Sequence, residues 1–309
     1  MAMGTLARMT QSSAALKRRW TTADGRELVR AAERRLRDRQ PLDGLGLESI
    51  DGRVDLRFIP LTADFSLLDG VELRRLDFSG AMAANLRFVD SVIADCRFDS
   101  ADCQFWHLRA CLVMDTSFLK ADLRNATLGE WYQGRGNRYR SVHFGSARLR
   151  NATTSAATYE DCDFAFAELE RVNFWQSSLI RCTFAGPLRD VVFDGRLLGE
   201  GKPDGNPMLE VDLTEAVLDG CDFRGVSFDS VRLPNDPQVV LIRDKALMER
   251  AAAALAGVDQ DPAARLAHAV LHHIELSLDR DGVTLINLRD AGEAADLVGG
   301  LLRDGGLRP

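Results

Sequence analysis

His268 and His272 lie four residues apart in a stretch of helical periodicity, and Glu275 follows three further on. Side chains at that spacing share a helix face, an arrangement that metal ligands use. The chain carries no H-E-x-x-H motif, so surface or packing histidines are the default reading and no metal is assigned. Gly199-Glu-Gly-Lys202 places Gly beside Lys but lacks the G-x-x-x-x-G-K-[ST] spacing, and the helix that should follow, of a phosphate cradle. No G-x-S-x-G elbow offers a nucleophile. These residues point to no catalytic group, no cofactor and no enzyme.

The most suggestive local feature is the stretch holding Trp131, Tyr132, Arg135, Arg138, Tyr139 and Arg140, with Arg148 and Arg150 close behind. Aromatic and Arg side chains are the usual anchors of protein interfaces. The same composition also suits a nucleic-acid backbone with stacked bases. The bland alternative is a solvated insertion whose arginines pair with outward aspartates. Trp175 follows an apolar centre at Phe174 and is expected to face outward, extending such a patch or covering a corner.

What positions these residues is a period of five. Every fifth residue from Phe58 to Leu128 is apolar, fifteen positions in succession. That period fits neither the 3.6 of a helix nor the 2.0 of an ordinary strand. A second series two places earlier is small or apolar, and the positions around it are commonly Asp, Arg, Asn, Ser or Thr. One unit cannot bury its own apolar face, so the units must stack into a solenoid.

Ala101-Asp102-Cys103, Ala121-Asp122-Leu123-Arg124-Asn125, Ala147-Arg148-Leu149-Arg150-Asn151 and Cys221-Asp222-Phe223 resemble the A-(D/N)-L-x-x unit of the pentapeptide-repeat proteins. The resemblance covers about Val54 to Leu233. It implies a mainly β fold, a right-handed quadrilateral β-helix with twenty residues per coil. Phe58, Phe78, Phe98 and Phe118 are then expected to stack on one face, and Phe144, Phe164 and Phe184 to continue the column if about six residues loop out between Gly129 and Ser141. A second break follows Phe184, with a loop signal at Gly199–Pro207.

The expected organisation is an N-terminal helical cap over 1–50, a repeat rod over 51–235 with loops near 129–141 and 185–210, and a mostly helical C-terminal domain over 236–309. Thr22 or Asp24 is expected to cap the first helix, Val239 to Ala256 reads as another, and Asp261-Pro262 as the start of a third. Val283 to Ile286 reads as a short strand, and a last helix runs to Leu302. Met1 to Ser13 reads as frayed. The net charge is −7, yet the first fifty residues are basic, with ten Lys/Arg against six Asp/Glu. No stretch is long and apolar enough to span a membrane, and no cleavable signal is evident. Cys96, Cys103, Cys111, Cys162, Cys182 and Cys221 occupy inner positions as small hydrophobes, which favours a cytoplasmic setting; Cys162 and Cys182 are expected to be stacked neighbours.

Some relatives in the pentapeptide-repeat family mimic duplex DNA in shape and charge, bind DNA gyrase and other type II topoisomerases, and inhibit or protect them. The expected function is a non-enzymatic scaffold presenting loops and faces to a protein partner. A DNA-mimic that binds a type II topoisomerase is the first alternative, and a nucleic-acid binder acting through 131–140 the second.

Overall fold

A computed structural model of the chain describes residues 12–196, 208–243, 245–255, 261–277 and 283–303. The loop signal at Gly199–Pro207, Lys202 included, lies outside the described residues, as do the turn at Asp281-Gly282 and residues 1–11.

The period of five becomes four parallel ladders. One joins strands Leu67–Asp69, Arg87–Val89, His107–Arg109, Thr127–Gly129 and Thr153–Thr154. The next joins Glu72–Arg74, Val92–Ala94, Leu112–Met114, Asn137–Arg140, Ala157–Glu160, Ser178–Ile180 and Met208–Leu209. The other two run as bridges, from Asp77 through Arg97, Ser117, His143 and Asp163 to Thr183, and from Met82 through Asp102, Asp122 and Arg148 to Glu168. Partners such as Arg87 and His107 are twenty residues apart, so one coil crosses all four ladders. Between ladders the backbone turns through a left-handed residue, for example Asn85, Asp90, Asp95 and Ser100 with φ of 66°, 47°, 52° and 57°. Short polar side chains tolerate that conformation, which explains much of the polar filling between apolar centres.

Aspartates at the bridge positions have a local task. Asp55, Asp122 and Asp194 each accept from the backbone N–H two residues on and from the guanidinium at that same residue, Arg57, Arg124 and Arg196. Asp222 takes the Arg224 guanidinium in the same way. These four carboxylates are thus spent on the turns and paired with neighbouring arginines.

Inside, Phe78, Phe98 and Phe118 stack with centroids 5.1 Å apart at each step, and the planes lie within 7° and 10° of parallel. Phe144, Phe164 and Phe184 extend the column at 5.5, 4.9 and 4.9 Å. Trp106 meets Phe98 edge-on at 5.0 Å and donates its indole N–H to the Ala83 carbonyl. Phe58 does not belong to the column. Val54 pairs with Leu76 and Pro60 with Met82, a spacing of twenty-two, so Leu56 takes the place below Phe78. Two extra residues between Leu61 and Leu68 cause the slip. Phe58 is left half-buried in a left-handed turn (φ 59°), its ring facing Lys17 Nζ at 5.2 Å. Further on, Phe193 stacks on Phe174 at 5.4 Å and Phe223 on Phe193 at 4.9 Å, a second column edge-on to the first at Phe184, so the coil resumes after the break.

The segment 185–210 is not one loop. Thr183–Arg189 is a strand paired with Asp212–Asp219, and Val192–Asp194 is another paired with Asp222–Arg224.

Helices α1 (Ser13–Arg19) and α2 (Ala23–Arg37) precede the first coil. Thr22 caps α2 by accepting from Gly25 N–H. Trp20, Val29, Ala32 and Leu36 share one apolar core with Leu56 and Phe78, and Arg19 forks onto the buried Asp55. After the last coil, Val239–Ile242 is a strand, not part of a helix. A run of three β-branched residues and one Leu suits a pleated surface, and it pairs antiparallel with Thr284–Asn287. Helix α3 (Lys245–Ala254) starts only afterwards. Helix α4 (Pro262–Ser277) begins behind Asp261, whose carboxylate accepts from Ala263 N–H. A 3-10 turn (Leu288–Ala294) leads into α5 (Ala295–Arg303). Thr284 Oγ1 donates to the Phe223 carbonyl and Asn287 Nδ2 to the Leu218 carbonyl, fixing this segment to the final coil.

Candidate functional site

Thr127 pairs with His107, twenty residues back, whereas Arg138 pairs with Leu112, twenty-six back. The six additional residues form a hairpin that stands off the coil. Tyr132 N–H donates to the Arg135 carbonyl and Arg135 N–H returns the bond, at 2.9 and 3.0 Å. Gln133 and Gly134 between them both have positive φ, 50° and 75°, the turn that matches strand twist. Gly129 and Gly136 flank the insertion because backbone passes too close for a side chain. A Cβ on them would sit 2.0 Å from the Ser155 carbonyl oxygen and 2.1 Å from that of Ala156.

Polar contacts fix the hairpin. His107 Nε2 lies 2.7 Å from Glu130 Oε1, and Arg109 Nε donates to the same oxygen. Burial would raise the Glu130 carboxyl, but the hydrogen bonds from Arg109 and His107 outweigh it and hold the group below its usual range. The Arg109 guanidinium also covers the Tyr132 ring at 5.5 Å. Trp131 donates its indole N–H to Gln176 Oε1 at 3.0 Å while its ring stays 51% exposed. Arg135 pairs with Asp90.

Where the insertion rejoins the coil, the buried Asn137 closes the ladder. Its Nδ2 donates to the Leu108 and Leu128 carbonyls at 2.8 and 2.9 Å, and its Oδ1 accepts from Cys111 N–H at 2.8 Å. Tyr139 is core, not loop. It is 1% exposed, stacks on Tyr159 at 4.7 Å and donates its hydroxyl to the Leu128 carbonyl. The interruption therefore ends at Asn137 and not near Ser141. The signal was available: Arg138-Tyr139-Arg140 alternates with a strand's period of two, and Tyr139 stands five before Phe144 and twenty before Tyr159.

Arg138 and Arg140 flank Tyr139 and point outward. Arg138 lies in a row with Val92, Leu112, Thr158 and Ser178, and Arg140 in a row with Ala94, Met114, Glu160 and Ile180. Hairpin and strand face enclose a groove of about 580 Å³ that Trp131, Arg135, Arg138, Leu112 and Thr158 help to line. Arg148 and Arg150 sit around the coil on another ladder, committed to Asp122 and to Glu168 and Glu170. Trp175 is half-buried.

The other candidates stay apart. His268 and His272 are exposed, and His272 lies 3.8 Å from Glu275. Among the described residues no three metal-ligating side chains converge. His273, Asp222 and Ser277 do meet, but the carboxylate stands between the other two, 3.5 Å from His273 Nε2 and 3.2 Å from Ser277 Oγ. A nucleophile relay needs the imidazole in the middle. All six cysteines are free; burial pushes Cys96 up to about 12 and Cys111 up to about 11, which leaves those two thiols unreactive. No helix among the described residues is long and apolar enough to cross a membrane.

A family model described as pentapeptide repeats (8 copies) matches residues 209–235. That segment carries the repeat of the pentapeptide-repeat family. No curated protein matches it. Among solved structures it is similar to a trypsin-treated variant of QnrB1, a plasmid-mediated fluoroquinolone resistance protein, with 20% identity over 60% of this chain and 87% of that one and a TM-score of 0.26. It is also similar to HetL, a pentapeptide-repeat protein involved in heterocyst differentiation regulation from the cyanobacterium Nostoc sp. strain PCC 7120, with 12% identity over 56% and 87% of the two chains and a TM-score of 0.20. A third is Rfr23 from the cyanobacterium Cyanothece 51142, with 14% identity, 54% and 88% coverage and a TM-score of 0.22.

Proposed function

We propose that this pentapeptide-repeat protein is a non-enzymatic scaffold that docks a protein partner on the hairpin and the Arg138–Arg140 face beside it. In this reading the four ladders form a right-handed quadrilateral β-helix, with the N-terminal helices and the C-terminal segment covering its two ends and shielding open strand edges. Six buried or half-buried thiols suit a reducing, cytoplasmic setting.

The observation that carries the reading is the insertion itself. Packing of the coil does not require it, yet Glu130, Trp131 and Arg135 all tie it down, and it leaves half an indole exposed beside two outward arginines. A rigid loop on a rigid scaffold loses little entropy on binding. The outward arginines favour an acidic partner surface. The paired Asp–Arg turns weigh against the alternative of a DNA-mimic aimed at a type II topoisomerase, because Asp55, Asp122, Asp194 and Asp222 are each neutralised by an arginine. Burial of Tyr139 and the Arg135–Asp90 pair weigh against nucleic-acid binding, since they remove one stacking ring and one phosphate contact.

A photo-reactive phenylalanine analogue placed at position 131, compared with the same analogue at the exposed Leu119 on another ladder, tests the site. Cross-links to a defined protein from position 131 alone support it. Equal labelling from both positions, or retardation of DNA or RNA that Arg138→Ala abolishes, rejects it.

A further inference from the structure

The final coils and the C-terminal segment enclose a cavity of about 500 Å³, far along the chain from the hairpin face. Val192 and Cys221 of the coil, Val270 and Ile274 of α4, and Leu285 and Ala291 beyond it make its walls largely apolar. This volume and lining are those of a small-molecule site, which needs only a few convergent polar groups for orientation.

Those groups are at one end. Asp190 and Asp290 both line the cavity and meet over Gly220. Asp290 Oδ1 accepts from Gly220 N–H at 3.2 Å, and a Cβ on Gly220 would lie 2.7 Å from Asp190 Oδ1. Gly220 also has φ 64°, so both backbone and space reserve this position for glycine. The nearby cations are engaged elsewhere: Arg189 with Asp219 at 3.6 Å and Arg289 with Asp236 at 2.6 Å. Among the described residues, no Lys, Arg or His comes within ion-pair distance of Asp190 or Asp290. Partial desolvation against the cavity wall, with Asp219 and Asp190 alongside, pushes the Asp290 carboxyl up. Two like charges at the mouth of an apolar cavity repel each other, and no ion pair within the chain offsets them. The carboxylate at the other end, Asp222, is already satisfied by Arg224, Ser277 and His273.

We propose that this cavity binds a small organic cation, with its ammonium group between Asp190 and Asp290 and its apolar body against Val270 and Ile274. The arrangement selects by charge at the mouth and by shape within. A neutral molecule of the same outline fills the walls but leaves the two carboxylates as they were.

Calorimetric titration of the full chain with cyclohexylmethylammonium and with cyclohexylmethanol, at constant ionic strength, tests this. The ammonium is expected to saturate and to bind at least about tenfold more tightly than the alcohol, the effect of one favourable charge contact. Asp290→Asn and Asp190→Asn are each expected to weaken the ammonium at least about threefold and to leave the alcohol unchanged. Both carboxylates are exposed, and the thermal midpoint of each variant verifies folding. Equal affinity for ammonium and alcohol, no saturation by the ammonium, or undiminished ammonium binding by folded Asn variants overturns the proposal.

Discussion

Replacing Phe98 with Ala tests the stacked column where it is most tightly built. The ring is 1% exposed, lies parallel between Phe78 and Phe118 at 5.1 Å on each side, and receives the edge of Trp106 at 5.0 Å. Truncating a buried Phe costs about 3–5 kcal/mol through lost transfer energy and the cavity left behind. Neighbouring rings are held by their own coils, so collapse into that cavity is limited and the upper half of the range is expected. At about 2–4 °C per kcal/mol for a unit of this size, the midpoint should fall by roughly 8–20 °C. Phe58→Ala is the matched control. Its ring is half-buried and outside the column, so the expected cost is about 1 kcal/mol. Leu56→Ala, at the position that does continue the column, should cost about 2–5 kcal/mol. Urea unfolding followed by far-ultraviolet circular dichroism gives all three values. Equal losses for Phe98→Ala and Phe58→Ala would refute the twenty-two-residue register of the first coil.

Asn137→Leu should destabilise by about 1–3 kcal/mol, because Cys111 N–H and two carbonyls lose their partner in the interior; amide exchange should rise first at Cys111. Gly136→Ala should be more damaging than Gly134→Ala, since only the former drives a Cβ into the Ala156 carbonyl; comparative thermal melts decide this. The Asp55 carboxyl is held well below the usual range: burial opposes this, but hydrogen bonds from Arg57 and Arg19 prevail. With the folded value depressed, its stabilising contribution is complete above the unfolded value of about 4 and is lost as pH falls further. Asp55→Asn should therefore flatten the acid limb of a stability–pH profile while leaving its slope between pH 5 and 8 unchanged.

The column from Phe78 to Phe184 is legible in the sequence because a six-residue insertion leaves twenty-residue spacing intact on either side. Phe58 misleads because apolar residues happen to recur at five through a stretch that holds two extra residues. Only hydrogen-bond register, such as Leu56 N–H to the Asp77 carbonyl, exposes the slip. Tyr139 misleads differently: flanking arginines give it the look of a loop, although alternation marks a strand. Val239–Ile242 is read as helix because its apolar run abuts a helical one, and its β-branched composition is the competing signal. Asn137 is illegible from one sequence, since nothing local shows that a polar side chain must replace the ladder bonds an insertion removes. The cavity beside Asp290 joins residues far apart in the chain, so no spacing announces it.

The most direct test of the proposed docking face is a quantitative affinity enrichment from the native cell extract, run with the wild type and with the double variant Arg138→Glu, Arg140→Glu. Both side chains are exposed and outside the core, so the thermal midpoint of the variant should match that of the wild type. The expected result is a defined protein partner that the wild type retains and the folded variant loses. Retention of that same partner by the folded variant would rule out the Arg138–Arg140 face as the docking site.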